Sequence, residues 1–366
     1  MHDLLILASA QKTIGYVIAG VLLLAFVVAI AVNVRKGRAE VGSEVELAAN
    51  RKPYMDDEEL ETKKLDRTLG LGLVALGVIA LTLPLYWLAE PGRQDDMVQH
   101  FENVAISRGE ELYTVGAQCA GCHGPNGVGG VASYTITDPA TGNYVDQVQW
   151  KAPALNTIMY RYTPEQVTYI LNYGRGYSPM PAWGAPGGGP LTSQQIEEII
   201  AYLTSIQLPA EQSLTEVQAE LDLTCKADDD GNCTIPGGKY KTLGEAVFNM
   251  GYDTGFAGGA YACGRCHTSG WSFGQAKVAG GGAMGPNLTG GSELRQFPVA
   301  AQQEAFVSAY PKMGTAYGTN GWSSGRMGSF GTNPNAQDPK TAIMSEDQVM
   351  LTPAQIAAVV AYERSL

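Results

Sequence analysis

Apolar residues crowd two stretches near the start of the chain and afterwards recur only in short amphipathic patterns. Residues 14–34, "IGYVIAGVLLLAFVVAIAVNV", are apolar over a spanning length and carry no charge inside the run. Residues 69–89, "LGLGLVALGVIALTLPLYWLA", form a second such run, with Pro84 near its end and Tyr86 and Trp87 at the level of an interfacial aromatic belt. Both runs predict transmembrane helices. A cleaved signal peptide competes for the first, but "MHDLLILASAQK" lacks the basic segment of such peptides and the run is long for one. The segment between the runs holds Arg35, Lys36, Arg38, Arg51, Lys52, Lys63, Lys64 and Arg67, while only Lys12 and Arg93 flank the runs on their other sides. The positive-inside rule therefore predicts a cytoplasmic loop, with both termini and everything after residue 90 on the outer face.

Past residue 90 the pattern changes to helical spacing in two matching sets. "LTSQQIEEIIAYLTSI" (191–206) and "LTPAQIAAVVAYERSL" (351–366) each begin on a capping box, Thr192 with Gln195 and Thr352 with Gln355, the second with Pro353 at the first helical position. Ile196, Ile199, Ile200 and Leu203, then Ile356, Val359, Val360 and Tyr362, are the predicted packing positions. "RGEELYTVGAQCAGCH" aligns with "LGEAVFNMGYDTGFAGGAYACGRCH" apart from a Gly-rich insertion, so a whole domain is repeated. The predicted organisation is a membrane anchor over 1–90, a first domain over 91–208, a linker over 209–242 and a second domain over 243–366. The linker is polar and turn-rich. Its Cys225 and Cys233, on the outer face, are expected to form a disulfide, with free thiols as the alternative. Asp228, Asp230 and Asn232 resemble the start of a calcium loop, but Cys233 stands where its glycine belongs, which favours a solvated acidic turn.

Composition adds a demand for something beyond side chains. Of 366 residues 45 are glycine and only 16% are charged, a balance suited to loop-rich domains wrapped round a cofactor. A net charge of −12 argues against a nucleic-acid partner, because phosphate binding needs a basic face. Histidine is the scarcest resource: His2, His100, His123 and His267 are all there are. That excludes a membrane haem held by paired histidines within the chain and leaves little for a copper or catalytic zinc centre.

Two of those histidines close a C-x-x-C-H motif: Cys119-Ala120-Gly121-Cys122-His123 and Cys263-Gly264-Arg265-Cys266-His267. C-x-x-C alone fits a redox pair or half of a zinc site, whereas the histidine directly after it is the signature of covalent haem c attachment. Two thiols add to the two vinyl groups on one porphyrin edge, and the adjacent imidazole becomes the proximal iron ligand. With histidines exhausted, the sixth ligands fall to methionine. Met180, between Pro179 and Pro181, serves the first site; Met327, at nearly the same separation from its histidine, serves the second. Met284, Met313, Met344 and Met350 are its rivals, and core filling is the alternative role of any methionine. "KAPALN" and "GPNLTG" repeat a Pro-x-Leu, so the carbonyls of Pro153 and Pro286 can accept the imidazole N–H, unless they are plain turn prolines.

On these residues each outer half resembles a class I cytochrome c. The matching positions are Gly109-Glu110, the first motif, Pro153-Ala154-Leu155 and Met180-Pro181-Ala182-Trp183 in one half, and Gly244-Glu245, the second motif, Pro286-Asn287-Leu288 and Gly325-Arg326-Met327 in the other. The resemblance implies an all-α fold in which the first and last helices of each half cross over a covalent haem c, hence two haems. The whole chain is similar to membrane-bound di-haem cytochromes of respiratory complexes. One relative is the di-haem subunit of actinobacterial-type menaquinol:cytochrome c reductases, which implies cytochrome b and Rieske iron–sulfur partners and a terminal haem–copper oxidase as acceptor; its anchor usually lies at the C-terminal end, unlike here. The other is the di-haem subunit of C-type haem–copper oxidases, which has N-terminal anchors. A di-haem peroxidase or haem sensor is a third class, and the shortage of spare histidines weighs against it.

Overall fold

The computed structural model describes residues 17–18, 20–33, 35, 58–138, 140–175, 178–267, 285, 288–309, 327–336 and 344–366. Two units emerge, Met1–Phe101 and Glu102–Leu366. In the first unit the described part of the first apolar run is a helix, Gly20–Asn33 (α1). After a π-helical stretch, Glu59–Lys64, comes a helix of 47 residues, Leu65–Glu111 (α2). The helical stretch Glu59–Gly116 is long and apolar enough to cross a membrane, and Leu73, Leu81 and Leu88 on it are exposed. The second expected span ends at residue 89, yet the helix runs on past Pro84 and Pro91 into residues expected to open the first outer domain. Proline was no stop signal here, because a long helix absorbs the loss of single backbone bonds that would end a short one.

The second unit is predominantly helical. It contains short turns Ala120–His123 (α3) and Gly264–His267 (α8), helices Pro164–Tyr173 (α4), Ser193–Ser205 (α5), Ala210–Thr224 (α6), Leu243–Phe248 (α7), Ser292–Gln296 (α9), Ala300–Ala309 (α10) and Pro353–Glu363 (α11), and a hairpin of strands Gly130–Thr137 (β1) and Tyr144–Ala152 (β2). Helices α4, α5 and α11 all start on full capping boxes, at Thr163, Thr192 and Thr352, so the same device sets three helix starts. Ile196, Ile199 and Leu203 on α5, and Ile356, Val359 and Val360 on α11, are buried in one continuous core with Val247, Phe248, Tyr113 and Met159.

The mostly helical architecture agrees with a cytochrome c fold, and two features add to the sequence expectations. One is a hairpin, in which β1 and β2 pair antiparallel from Gly130 opposite Ala152 to Thr137 opposite Tyr144. One face of this hairpin buries Ala132, Ile136, Val148 and Trp150 as a separate small core. Those four alternate with polar residues at the two-residue period of a strand. The segment expected as a linker is also half helix: α6 buries Val217 and Leu221 at helical spacing in the main core, which a polar average over the segment conceals. Beyond it, Cys225 and Cys233 are joined by a disulfide. Asp228 accepts the backbone N–H groups of Asp230 and Asn232, the bonding of an acidic turn.

The two halves of this unit repeat one helix crossing. At Gly109 any Cβ would overlap the Glu198 carbonyl of α5, and at Gly244 any Cβ would overlap the Ala358 carbonyl of α11. One turn further along, Tyr113 meets Tyr202 with ring centroids 5.2 Å apart, and Phe248 meets Tyr362 at 5.3 Å. Each crossing is thus a glycine that lets two backbones touch and an aromatic pair that fills the next layer. Alanine at Gly109 forces the helices apart. We expect Gly109→Ala to cost about 1–3 kcal/mol, read as a lowered thermal midpoint, with Gly244→Ala behaving alike; a change of a few tenths for either would show that the crossing is looser than the contact implies.

Candidate haem-attachment site

Both C-x-x-C-H segments fold into the same single turn. In the first, the N–H groups of Cys122 and His123 donate to the Cys119 carbonyl at 3.1 and 2.8 Å; in the second, those of Cys266 and His267 donate to the Cys263 carbonyl at 3.0 and 3.1 Å. One turn places both thiols of a motif beside their histidine, the arrangement that two thioether links to one porphyrin edge require. None of the four cysteines is in a disulfide.

The first thiol of each motif lacks the character of a reactive redox cysteine. A redox-active pair works through a lowered thiol pKa. Here burial pushes Cys119 up to about 11 and raises Cys263 as well. Zinc needs several ligands converging on one point, and among the described residues no group of three or more His, Cys, Asp or Glu is arranged to hold a metal ion.

His123 is prepared as a ligand. Its Nδ1 lies 2.7 Å from the Pro153 carbonyl, and burial pushes its pKa down to about 4, so at neutral pH the ring is uncharged. A neutral imidazole bonding a carbonyl carries its proton on Nδ1, which turns the Nε2 lone pair outward for iron. The residues present therefore fit a c-type haem, which supplies one-electron chemistry at its iron when bound. In the second half Pro286 lies outside the described residues. Gly285 is described, and its own N–H donates to the Cys266 carbonyl at 2.9 Å. A Cβ there would stand 2.6 Å from Cε1 of His267, so only glycine lets the chain lie flat against that ring. Gly285 opens the "GPNLTG" segment directly before the repeated proline, and its close approach to the His267 ring is a feature of the fold that this pattern does not spell out.

Met180 sits half-buried on a short strap. Its N–H donates to the Ser178 hydroxyl at 3.3 Å and its carbonyl accepts from the Arg175 N–H at 3.0 Å. The strap is tied down where the Trp183 N–H donates to the Leu171 carbonyl. Met327 is also half-buried against the core, whereas Met344 and Met350 are fully buried core residues. Met284, Met313, Gly325 and Arg326 lie outside the described residues.

Residues 104–203 match the family described as cytochrome c oxidase, cbb3-type, subunit III. No curated protein and no solved structure matches the chain. The match supports a cytochrome c domain over residues 104–203, and the Cys119–His123 turn inside it fits covalent attachment of haem c.

Proposed function

We propose that the chain is a membrane-anchored di-haem c-type cytochrome that carries electrons within a quinol-oxidising, bc-type respiratory complex toward a terminal haem–copper oxidase. The observation that carries the electron-transfer reading is the His123 ring held by the Pro153 carbonyl beside two unpaired thiols, inside the matched domain. Support for a second haem comes from the second motif, folded into the same turn, and from the repeated crossing at Gly109 and Gly244. In this reading Cys119, Cys122, Cys263 and Cys266 attach two haems, and His123 with Met180 and His267 with Met327 ligate the irons. Pro153 and Pro286 orient the imidazoles. The two apolar runs cross the membrane and the haem domains face outward, where c-type maturation takes place and where the Cys225–Cys233 disulfide persists.

Cytochrome b and Rieske iron–sulfur subunits are the partners that the likeness to bc-type di-haem subunits suggests. The second reading, a subunit of a C-type haem–copper oxidase, is favoured by the description of the matched family and by N-terminal anchors. Gentle detergent extraction followed by mass spectrometry of the co-purifying chains separates the two. Cytochrome b with a Rieske protein supports the first, a haem–copper catalytic subunit without them supports the second, and a solitary chain with peroxidase turnover overturns both.

A further inference from the structure

Between the two attachment segments lie guanidinium groups that no carboxylate among the described residues neutralises. Arg161, buried, donates from Nη2 to the Ala154 carbonyl at 2.8 Å and from Nη1 to the Ala260 carbonyl at 3.4 Å. Arg265, inside the second motif, donates from Nη2 to the Lys151 carbonyl at 2.7 Å. The Nε of each is buried without a hydrogen-bond partner. Arg175 adds a third positive charge, 3.3 Å from the Tyr162 hydroxyl, and both Arg161 and Arg175 stand over the Tyr162 ring. Among the described residues none of these three joins an ion pair.

Burying a cation against neutral carbonyls is expensive, and this chain has acidic groups in excess, 36 Asp and Glu against 24 Lys and Arg. The placement also ties both sites together. Ala154 follows Pro153, whose carbonyl holds His123. Ala260 lies three positions before Cys263. The Arg161 carbonyl accepts the Ser329 N–H at 3.1 Å, and Gly328, beside Met327, packs on the Arg161 side chain. Lys151, the acceptor of Arg265, lies two positions before Pro153.

We propose that Arg161 and Arg265 form one cationic bridge shared by the two haem sites, which raises the reduction potential of both together. This rests on the di-haem reading above. A fixed positive charge in a water-poor interior disfavours the oxidised iron, which carries one more positive charge than the reduced iron. A bridge touching both sites moves both in the same direction, so neither becomes a trap when electrons pass between them. Arg161 and Arg265 are positioning and tuning residues in this scheme.

The test uses the full-length membrane protein in detergent, with haem stoichiometry by mass and potentials by optical redox titration. Arg161→Gln and Arg265→Gln should each lower the reduction equilibrium constant of both haems about tenfold, about 59 mV for one electron. Arg161→Lys keeps the charge and should hold both potentials close to the parent protein. Should Arg161→Gln fail to fold, Arg265→Gln carries the test. Unchanged potentials with both haems attached overturn the bridge, as does a shift confined to one haem. An equal fall with lysine and glutamine also overturns it, by showing that shape and not charge is responsible. A parent protein without covalent haem overturns the di-haem reading itself, and the stoichiometry reports that separately from the potentials.

Discussion

Replacing Cys119 and Cys122 together by serine should halve the covalent haem of the chain, leaving one haem on Cys263 and Cys266. The two motifs fold as independent single turns, each bonded to its own first-cysteine carbonyl, so loss of thiols in one leaves the geometry of the other intact. Serine is nearly isosteric with cysteine and its hydroxyl forms no thioether, so the change isolates the attachment chemistry. His123, neutral and held by Pro153, could still ligate a loosely bound haem; extraction into acidified organic solvent removes such a haem and leaves the covalent one. The measurement is the intact-protein mass after extraction. A chain that keeps two haems would show that the first motif attaches none, and a chain that loses both would show that the sites mature in sequence and not in parallel.

What the sequence disclosed depended on how local the signal was. The starts of α5 and α11 were legible because a capping box is written in four consecutive residues, Thr192 to Gln195 and Thr352 to Gln355. The attachment turns were legible for the same reason. The hairpin was overlooked although Val148 and Trp150, and Ala132 and Ile136, alternate plainly with polar residues, because the likeness to an all-α fold left no room for strands. Helix α6 was hidden by composition: Ser213, Val217, Glu220 and Leu221 form its buried stripe, and only two of those are apolar. Gly109 and Gly244 were noticed as matching positions, but the reason for them, a carbonyl of a helix far along the chain, exists only in three dimensions. Arg161 and Arg265 are the clearest case. Their partners Ala154, Ala260 and Lys151 are backbone carbonyls, and no pattern of residue types announces a bond to a carbonyl.

Met327→Ala should convert the second haem from a closed electron carrier into an open one while leaving the first unchanged. Met180 and Met327 are half-buried against the core, and the other described candidates in the second half, Met344 and Met350, are wholly buried. A thioether that ligates iron must keep its sulfur at the edge of the protein packing, facing the cofactor; one that fills a core is surrounded on all sides. On the proposed ligation, removing Met327 deletes a ligand, whereas removing Met350 deletes core volume. With Met327→Ala the near-infrared sulfur-to-iron band should fall to half its intensity, and one haem should bind carbon monoxide. Its potential should drop by on the order of a few tenths of a volt, within the roughly 0.8 V that axial ligands span. Met350→Ala should cost about 2–5 kcal/mol of stability with the band intact. The contrast between the two variants is what decides the ligand. If the band survives in Met327→Ala and halves in another methionine variant of the second half, the ligand passes to that residue, and the Gly325-Arg326-Met327 frame loses its role.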